Sequence, residues 1–129
     1  MKKTIEVDLA VIGGGPAGLA AAIEAKKSGV DKIIIIERDE QLGGLLHQCI
    51  HDGFGLHYFD SDLSGPEYAD RFMKILKSLD IKVYLQTMAT EITPEREITA
   101  VTIGEGLMKI KARSIVLAMG CRERSRGAI

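Results

Sequence analysis

The stretch Leu9-Ala10-Val11-Ile12-Gly13-Gly14-Gly15-Pro16-Ala17-Gly18-Leu19 constrains the fold of this chain more than any other. Leu9 to Ile12 is an apolar run that suits a short strand buried on both faces. It stops at Gly13. From Pro16 the composition turns to Ala and Leu, which are strong helix formers. Gly29 is placed to end that helix as the residue just past its C-cap. Lys32-Ile33-Ile34-Ile35-Ile36-Glu37 then reads as a second, β-branched strand. Strand, helix and strand in about 30 residues form a βαβ unit, whose crossover is expected to be right-handed.

Within this unit Gly13, Gly15 and Gly18 stand as G-x-G-x-x-G. The first glycine permits a tight turn, the second lets backbone approach a pyrophosphate, and the third lets helix and strand pack closely. The helix N-terminus offers free N–H groups and the positive end of its dipole. Pro16 costs little there, because its missing N–H would be unpaired anyway. Glu37 lies 19 residues after Gly18, at the end of the second strand. A carboxylate there can accept hydrogen bonds from both hydroxyls of a ribose. It would also repel a 2′-phosphate, which disfavours NADP. The glycines alone are weak evidence. Strand, helix, second strand and terminal acid in one register point to a dinucleotide. Ala22 and Gly29 add small residues where the helix is expected to meet the sheet.

Length and composition narrow the class. A chain of 129 residues fits one domain with one core. Hydrophobic residues make up 46% and charged residues 27%, a globular balance and not a disordered one. The net charge of −1, without charged blocks, gives no footprint for nucleic acid. Cys49 and Cys121 make no disulfide framework and read as free thiols in a reducing cytoplasm. Lys2 and Lys3 before the uncharged run Leu9 to Ile23 imitate a leader peptide, but Glu6, Asp8 and the Gly-Gly-Gly-Pro break the pattern. That run is also shorter than the roughly 20 residues needed to span a bilayer. A soluble, cytoplasmic protein is expected.

The middle of the chain continues the α/β pattern. Ser64-Gly65-Pro66-Glu67 is a capping box. It precedes a helix whose stripe is Ala69, Phe72, Met73, Leu76 and Leu79. Ile81 to Leu85 alternates as a strand. Ile98 to Ile103 and Met108 to Ala112 read as a hairpin around Gly104-Glu105-Gly106, and Ser114 to Leu117 as a further, buried strand.

Asp8 to Gly18, the doublet in Leu42-Gly43-Gly44, and the strand Ser114 to Leu117 ending in Ala118-Met119-Gly120 together resemble the FAD-dependent pyridine nucleotide-disulfide oxidoreductase family. The last motif is usually Ala-Thr-Gly there, with Met119 standing here for the threonine. Cys121-Arg122-Glu123-Arg124 resembles that family's exit toward a second domain. The resemblance implies an α/β, Rossmann-like FAD/NAD(P)-binding domain: a parallel sheet with helices and an inserted β-meander lying over it. It implies FAD as cofactor, held at Gly13, Gly14, Gly15, Pro16, Ala17 and Gly18. Glu37, with Arg38 beside it, would serve the adenosine ribose. Gly43 and Gly44 would lie by the pyrophosphate and flavin side. Ala89 would touch adenine through its backbone. Ala118, Met119 and Gly120 would form a turn packed on the glycine loop.

Disulfide-reducing members of the glutathione-reductase-like branch carry C-x-x-x-x-C after the doublet. Here the position five before Cys49 is Gly44, so that dithiol is missing. The stretch from Gly43 to Phe72 is more similar to a branch without the pair. It includes sarcosine-oxidase-type alpha subunits and glycerol-metabolism-linked flavoproteins. His47, Cys49, His51 and His57 lack zinc-site spacing and read as a polar loop bordering the flavin, with no metal. No catalytic acid or base stands out. Complete members of the family continue into an NAD(P)-binding domain and a Gly-Asp FAD motif. Residues 1–129 are therefore expected to be an incomplete FAD-binding domain of a larger flavoprotein, inactive by itself. Two alternatives stay open: a small dinucleotide-binding subunit that needs a partner chain, and an NAD-binding module of a non-flavin dehydrogenase.

Overall fold

The computed structural model describes residues 3–122 and 126–127. Glu123 and Arg124 of the expected exit segment lie outside the described residues. The chain opens with strand β1 (Lys3–Ile12), helix α1 (Pro16–Lys27) and strand β2 (Ile33–Ile36). β1 and β2 pair in parallel, with Leu9 opposite Ile33 and Ile12 opposite Ile36. α1 ends as its sequence predicts. Gly29 takes φ +99°, its N–H donates to the Lys26 carbonyl, and the Val30 N–H donates to the Ala25 carbonyl. These two bonds close the helix in a Schellman motif. A side chain on Gly29 would meet nothing within 4 Å, so this glycine serves the turn and not the helix–sheet contact. Ala22, fully buried, serves the contact.

Helix α2 (Gly65–Ser78) follows and carries the expected capping box. The Glu67 N–H donates to Ser64 Oγ at 3.5 Å, and the Ser64 N–H donates back to Glu67 Oε2 at 2.8 Å. Strands β3 (Ile81–Tyr84), β4 (Thr87–Ile92), β5 (Glu97–Thr102) and β6 (Gly106–Leu117) complete one six-stranded sheet in the order β3-β2-β1-β6-β5-β4. The β3-β2-β1-β6 half is parallel and the β6-β5-β4 half antiparallel.

The run Ile33 to Ile36 shows how the layers form. Strand side chains alternate between faces. Ile33 and Ile35, with Leu9 and Val11, pack under α1 and α2 against Leu19, Ile23, Phe72 and Leu76. Ile34 and Ile36, with Ala10 and Ile12, pack against Ile98, Ala100, Met108 and Ile110 of the meander. Both faces of the parallel strands are covered, by helices on one side and the meander on the other. The expected architecture holds.

Two details differ from the sequence reading. The strands expected at Met108–Ala112 and Ser114–Leu117 are one strand, β6. Its first half pairs with β5 while it also runs along β1 as far as Leu117. Its last part is not buried throughout. Beyond Lys111, among the described residues, no strand lies on its far side, and Leu117 is 59% exposed. The strand β4 was not expected. It is a mostly exposed edge strand, and its irregular register between Ala89 and Glu91 hides the alternation that marks a strand.

Candidate functional site: a groove over the carboxyl ends of the parallel strands

β1, β2 and β6 all end at the same rim. The Gly13 N–H donates to the Ile36 carbonyl at 2.9 Å, and the Ala118 N–H donates to the Ile12 carbonyl at 2.8 Å. The three segments that leave the rim are therefore tied together: the glycine loop, Glu37-Arg38-Asp39, and Ala118-Met119-Gly120. This rim includes the place where the order reverses, with β2 on one side of β1 and β6 on the other. Open α/β sheets bind ligands at such a point.

Two of the loop glycines are set by close contact. A Cβ on Gly18 would collide with the Gly13 carbonyl oxygen, and a Cβ on Gly13, at φ +108°, with the Ala118 carbonyl oxygen. Helix, glycine turn and the turn after β6 thus stack with no room for a methyl group. The Gly43-Gly44 doublet joins the same stack. The Gly43 N–H donates to the Gly14 carbonyl at 2.8 Å, and a Cβ on Gly44 would lie 3.1 Å from Gly15 Cα.

α1 begins without a side-chain cap and without an acidic residue in its first turn. Its first residues border an open cavity. That combination accepts an anion. The cavity, about 610 Å³, is bounded by Gly15, Pro16 and Ala17 on one side. Gly44, Leu45 and Gln48 bound it on a second side, and Ala118, Met119, Gly120 and Cys121 on a third. A neighbouring cavity of about 280 Å³ is bounded by Ile12, Gly13, Thr87, Met88 and Ala89. Glu37, Arg38 and Met119 line both, so the two make one elongated groove.

Glu37 sits at the waist of that groove, only 7% exposed. Each of its carboxylate oxygens is already engaged. Oε2 accepts the Gly14 N–H at 2.7 Å, and Oε1 accepts the Asp39 N–H at 2.9 Å. The acid therefore shapes the glycine loop, and each oxygen keeps a lone pair for a hydroxyl. The Glu37 backbone is held between β3 and β4: its N–H donates to Tyr84 O, and its carbonyl accepts the Thr87 N–H.

The structure brings eleven of the fourteen expected residues to the groove: Gly13, Gly15, Pro16, Ala17, Glu37, Arg38, Gly44, Ala89, Ala118, Met119 and Gly120. Gly14, Gly18 and Gly43 lie behind it as packing elements. Asp39, Leu45, Gln48 and Met88 also line the groove and were not singled out from sequence. Leu45 and Gln48 follow the doublet on a short 3-10 turn, Gly44–Gln48, so their proximity to Gly44 was the available signal.

The expected polar loop divides. His47 does not line the groove. Its Nε2–H donates to the Leu42 carbonyl at 2.5 Å, and a Cβ on Gly43 would run into its ring. Cys49 Sγ–H donates to Leu45 O at 3.4 Å, and its carbonyl accepts the Gly65 N–H at 2.8 Å, which ties the loop to α2. The His51 ring lies 5.3 Å from Phe54. Among the described residues no group of three His, Cys, Asp or Glu side chains could hold a metal ion, and no helix is long and apolar enough to cross a membrane.

A glycine-loop βαβ unit with an uncapped helix start, a buried acid after the second strand, and a groove across both define a dinucleotide-binding α/β protein. Residues 8–59 match the FAD dependent oxidoreductase family. The chain is 30% identical over 123 residues to hydrogen cyanide synthase subunit HcnB of Pseudomonas protegens, an alignment covering 89% of this chain and 24% of that protein. It is 31% identical over 121 residues to thioredoxin reductase of Listeria monocytogenes, covering 94% of this chain and 36% of that protein. Its fold superposes on L-proline dehydrogenase from P. horikoshii with TM-score 0.74 and 30% identity, covering 93% of this chain and 24% of that one. These likenesses support an FAD-binding domain of a flavin-dependent oxidoreductase and imply FAD as the cofactor. The chain spans between about a quarter and just over a third of the length of these relatives.

Proposed function

We propose that this chain holds the adenosine-diphosphate half of FAD in the groove and so positions the flavin within a longer NAD(P)-linked oxidoreductase. The observation that carries this reading is the continuity of the groove. It runs from the uncapped start of α1, past Glu37, to the shelf at Thr87–Ala89. The residues present fit the group. The close approach of Gly44 to Gly15 leaves bare backbone where a pyrophosphate needs it. The first turn of α1 supplies N–H donors and the positive dipole end. Glu37 offers its remaining lone pairs to the ribose hydroxyls, and Arg38 flanks it. Ala89 borders the adenine end. When bound, the flavin ring supplies the electron-carrying chemistry, while the protein orients it and controls access.

Three observations support the longer assembly. The alignment covers 24% of HcnB and 36% of the thioredoxin reductase. HcnB is itself a subunit. Among the described residues no strand pairs with the far edge of β6 beyond Lys111, and an open edge in a parallel sheet asks for a neighbour. On this reading NAD(P) binds on a further domain or a partner subunit. Residues 1–129 are then an incomplete FAD-binding domain. The segment lacks the C-x-x-x-x-C pair that would pass electrons to a disulfide, since the position five before Cys49 is Gly44.

The test is a fluorescence titration of the purified chain with FAD and with FMN, which shares the flavin but lacks the adenylate. FAD is expected to bind and to be displaced by ADP, while FMN binds at least about tenfold more weakly, a difference of about 1.4 kcal/mol. Equal binding of FMN, or failure of ADP to displace FAD, would overturn the proposal.

A further inference from the structure

Gly44 meets Gly15 at the phosphate side of the groove, and a glycine pair has little of its own to hold its shape. Gly43 and Gly44 both take positive φ, +116° and +54°. Their neighbours fix the turn instead. The Gly43 N–H donates to the Gly14 carbonyl at 2.8 Å, and the buried Leu42 side chain fills the space that a Cβ on Gly14 would need. On the other side, the place of a Cβ on Gly43 is taken by the His47 ring, with Nε2 2.5 Å and Cδ2 3.0 Å from that point, and by Ala69 of α2 at 3.2 Å. The same ring closes a loop over the doublet, because its Nε2–H donates to the Leu42 carbonyl five residues back. The 3-10 turn that carries His47 is pinned in turn to α2, where the Gly65 N–H donates to the Cys49 carbonyl at 2.8 Å. His47 is thus braced from behind and holds the residue that precedes the doublet.

We propose that His47 is a positioning residue for the pyrophosphate: it acts through the Leu42 carbonyl and the Gly43-Gly44 turn, without touching the ligand. The inference rests on the reading that the groove holds an adenine dinucleotide, and it deepens that reading. A partly buried carbonyl that loses its N–H partner turns toward water, and the Leu42 carbonyl would carry Gly43 with it. Gly44 would then leave its seat against Gly15, and the phosphate side of the groove would lose its fixed width. An imidazole protonated on Nε2 serves both needs, a flat ring behind Gly43 and a donor for Leu42. The effect is confined to that side. The Glu37 backbone is held by other bonds, its N–H to the Tyr84 carbonyl and its carbonyl to the Thr87 N–H. A slack doublet therefore leaves the nucleoside end of the groove in place.

The test compares ADP with adenosine on the full chain and on two variants, by calorimetry for ADP and NMR titration for adenosine. His47→Phe keeps a ring behind Gly43 but has no donor, whereas His47→Gln keeps an N–H donor of similar reach. His47→Phe should bind ADP about tenfold more weakly, the upper range for one net hydrogen bond, while its adenosine affinity stays within about twofold of wild type. His47→Gln should bring ADP affinity back to within about threefold. Unchanged ADP affinity in His47→Phe would overturn the proposal while sparing the groove. So would equal losses of ADP and adenosine, which mark a general structural fault, and so would a His47→Gln variant no better than His47→Phe. A wild-type chain that does not bind ADP would overturn the groove reading and this inference with it. A second measurement needs no variant. Nitrogen-15 NMR of the wild-type imidazole reads which ring nitrogen carries the proton, and Nε2 is expected, because the bond to Leu42 selects that tautomer. A neutral ring protonated on Nδ1 would overturn the latch.

Discussion

Replacing Glu37 with glutamine should destabilise the chain in the absence of any ligand. The carboxylate is buried and accepts two backbone N–H groups, Gly14 on Oε2 at 2.7 Å and Asp39 on Oε1 at 2.9 Å. Glutamine has nearly the same shape but only one acceptor oxygen. Whichever way its amide turns, one of those N–H groups faces an NH₂. The Gly14 bond is buried and the Asp39 bond is partly exposed, so the amide should turn its oxygen to Gly14. The Asp39 N–H then loses its partner but keeps some access to water. Loss of one hydrogen bond to a charged group costs about 1.5–3 kcal/mol, and partial hydration of Asp39 keeps the total near 2 kcal/mol. With a urea slope of about 1–3 kcal/mol/M, the unfolding midpoint should fall by roughly 1 M. The assay is urea unfolding of both proteins followed by circular dichroism, with no nucleotide present. A midpoint that moves by less than about 0.2 M, well inside the range of neutral surface changes, would refute the idea that Glu37 organises the glycine loop. The same experiment guards the binding argument, because a variant with a collapsed loop loses ADP for reasons unrelated to the ribose.

Other consequences follow from the same geometry. Gly18→Ala should cost about 1–3 kcal/mol or more by overpacking, because its methyl group meets the Gly13 carbonyl oxygen; an unchanged melting temperature would contradict the stacked-turn description. Ser64→Ala should lower stability by about 1 kcal/mol through loss of the α2 cap, read from the urea midpoint. The backbone and hydroxyl hydrogen bonds from Ser64 hold the Glu67 carboxyl below its ordinary value of 4.5. A depressed carboxylate contributes stability above its unfolded pKa and loses it as pH falls through the folded one. The wild-type chain should therefore lose this contribution below about pH 4.5, and a Glu67→Gln variant should show a flatter stability profile there.

Much of the site was readable in the sequence because local chemistry fixes it. Gly18 must be glycine for a steric reason within the βαβ unit, its contact with the Gly13 carbonyl, whereas Gly13 is crowded by Ala118 from the far end of the chain. The α2 capping box depends on residues three apart. Gly29 closes α1 within a single turn. What was not readable depends on distant partners. β4 is an edge strand with one irregular register, so Thr87 to Ile92 carries no clean alternation, and Met88 passed unnoticed. The join of two expected strands into β6 depends on pairing with β1, over a hundred positions away. His47 looked like a groove residue by its position after the doublet, yet its ring turns back on Leu42 and Gly43. The segment between Cys49 and Ser64 had no periodicity to read. It is held by long-range aromatic contacts, Phe54 and Phe59 against Tyr68 of α2 at 5.9 and 5.7 Å. Gly14 shows the limit most clearly: its motif position suggests a ligand contact, while its N–H is taken by Glu37.

The central claim, that the adenosine-diphosphate half of FAD lies along the groove over the strand ends, is tested most directly by amide NMR of the chain titrated with ADP. The account predicts the largest shifts at Gly15, Ala17, Arg38, Gly44 and Ala89, with little change around Asp8, Asp31 and Arg113, which border a separate cavity of about 420 Å³. Shifts centred on Asp8, Asp31 and Arg113, or no shifts at saturating ADP, would contradict it.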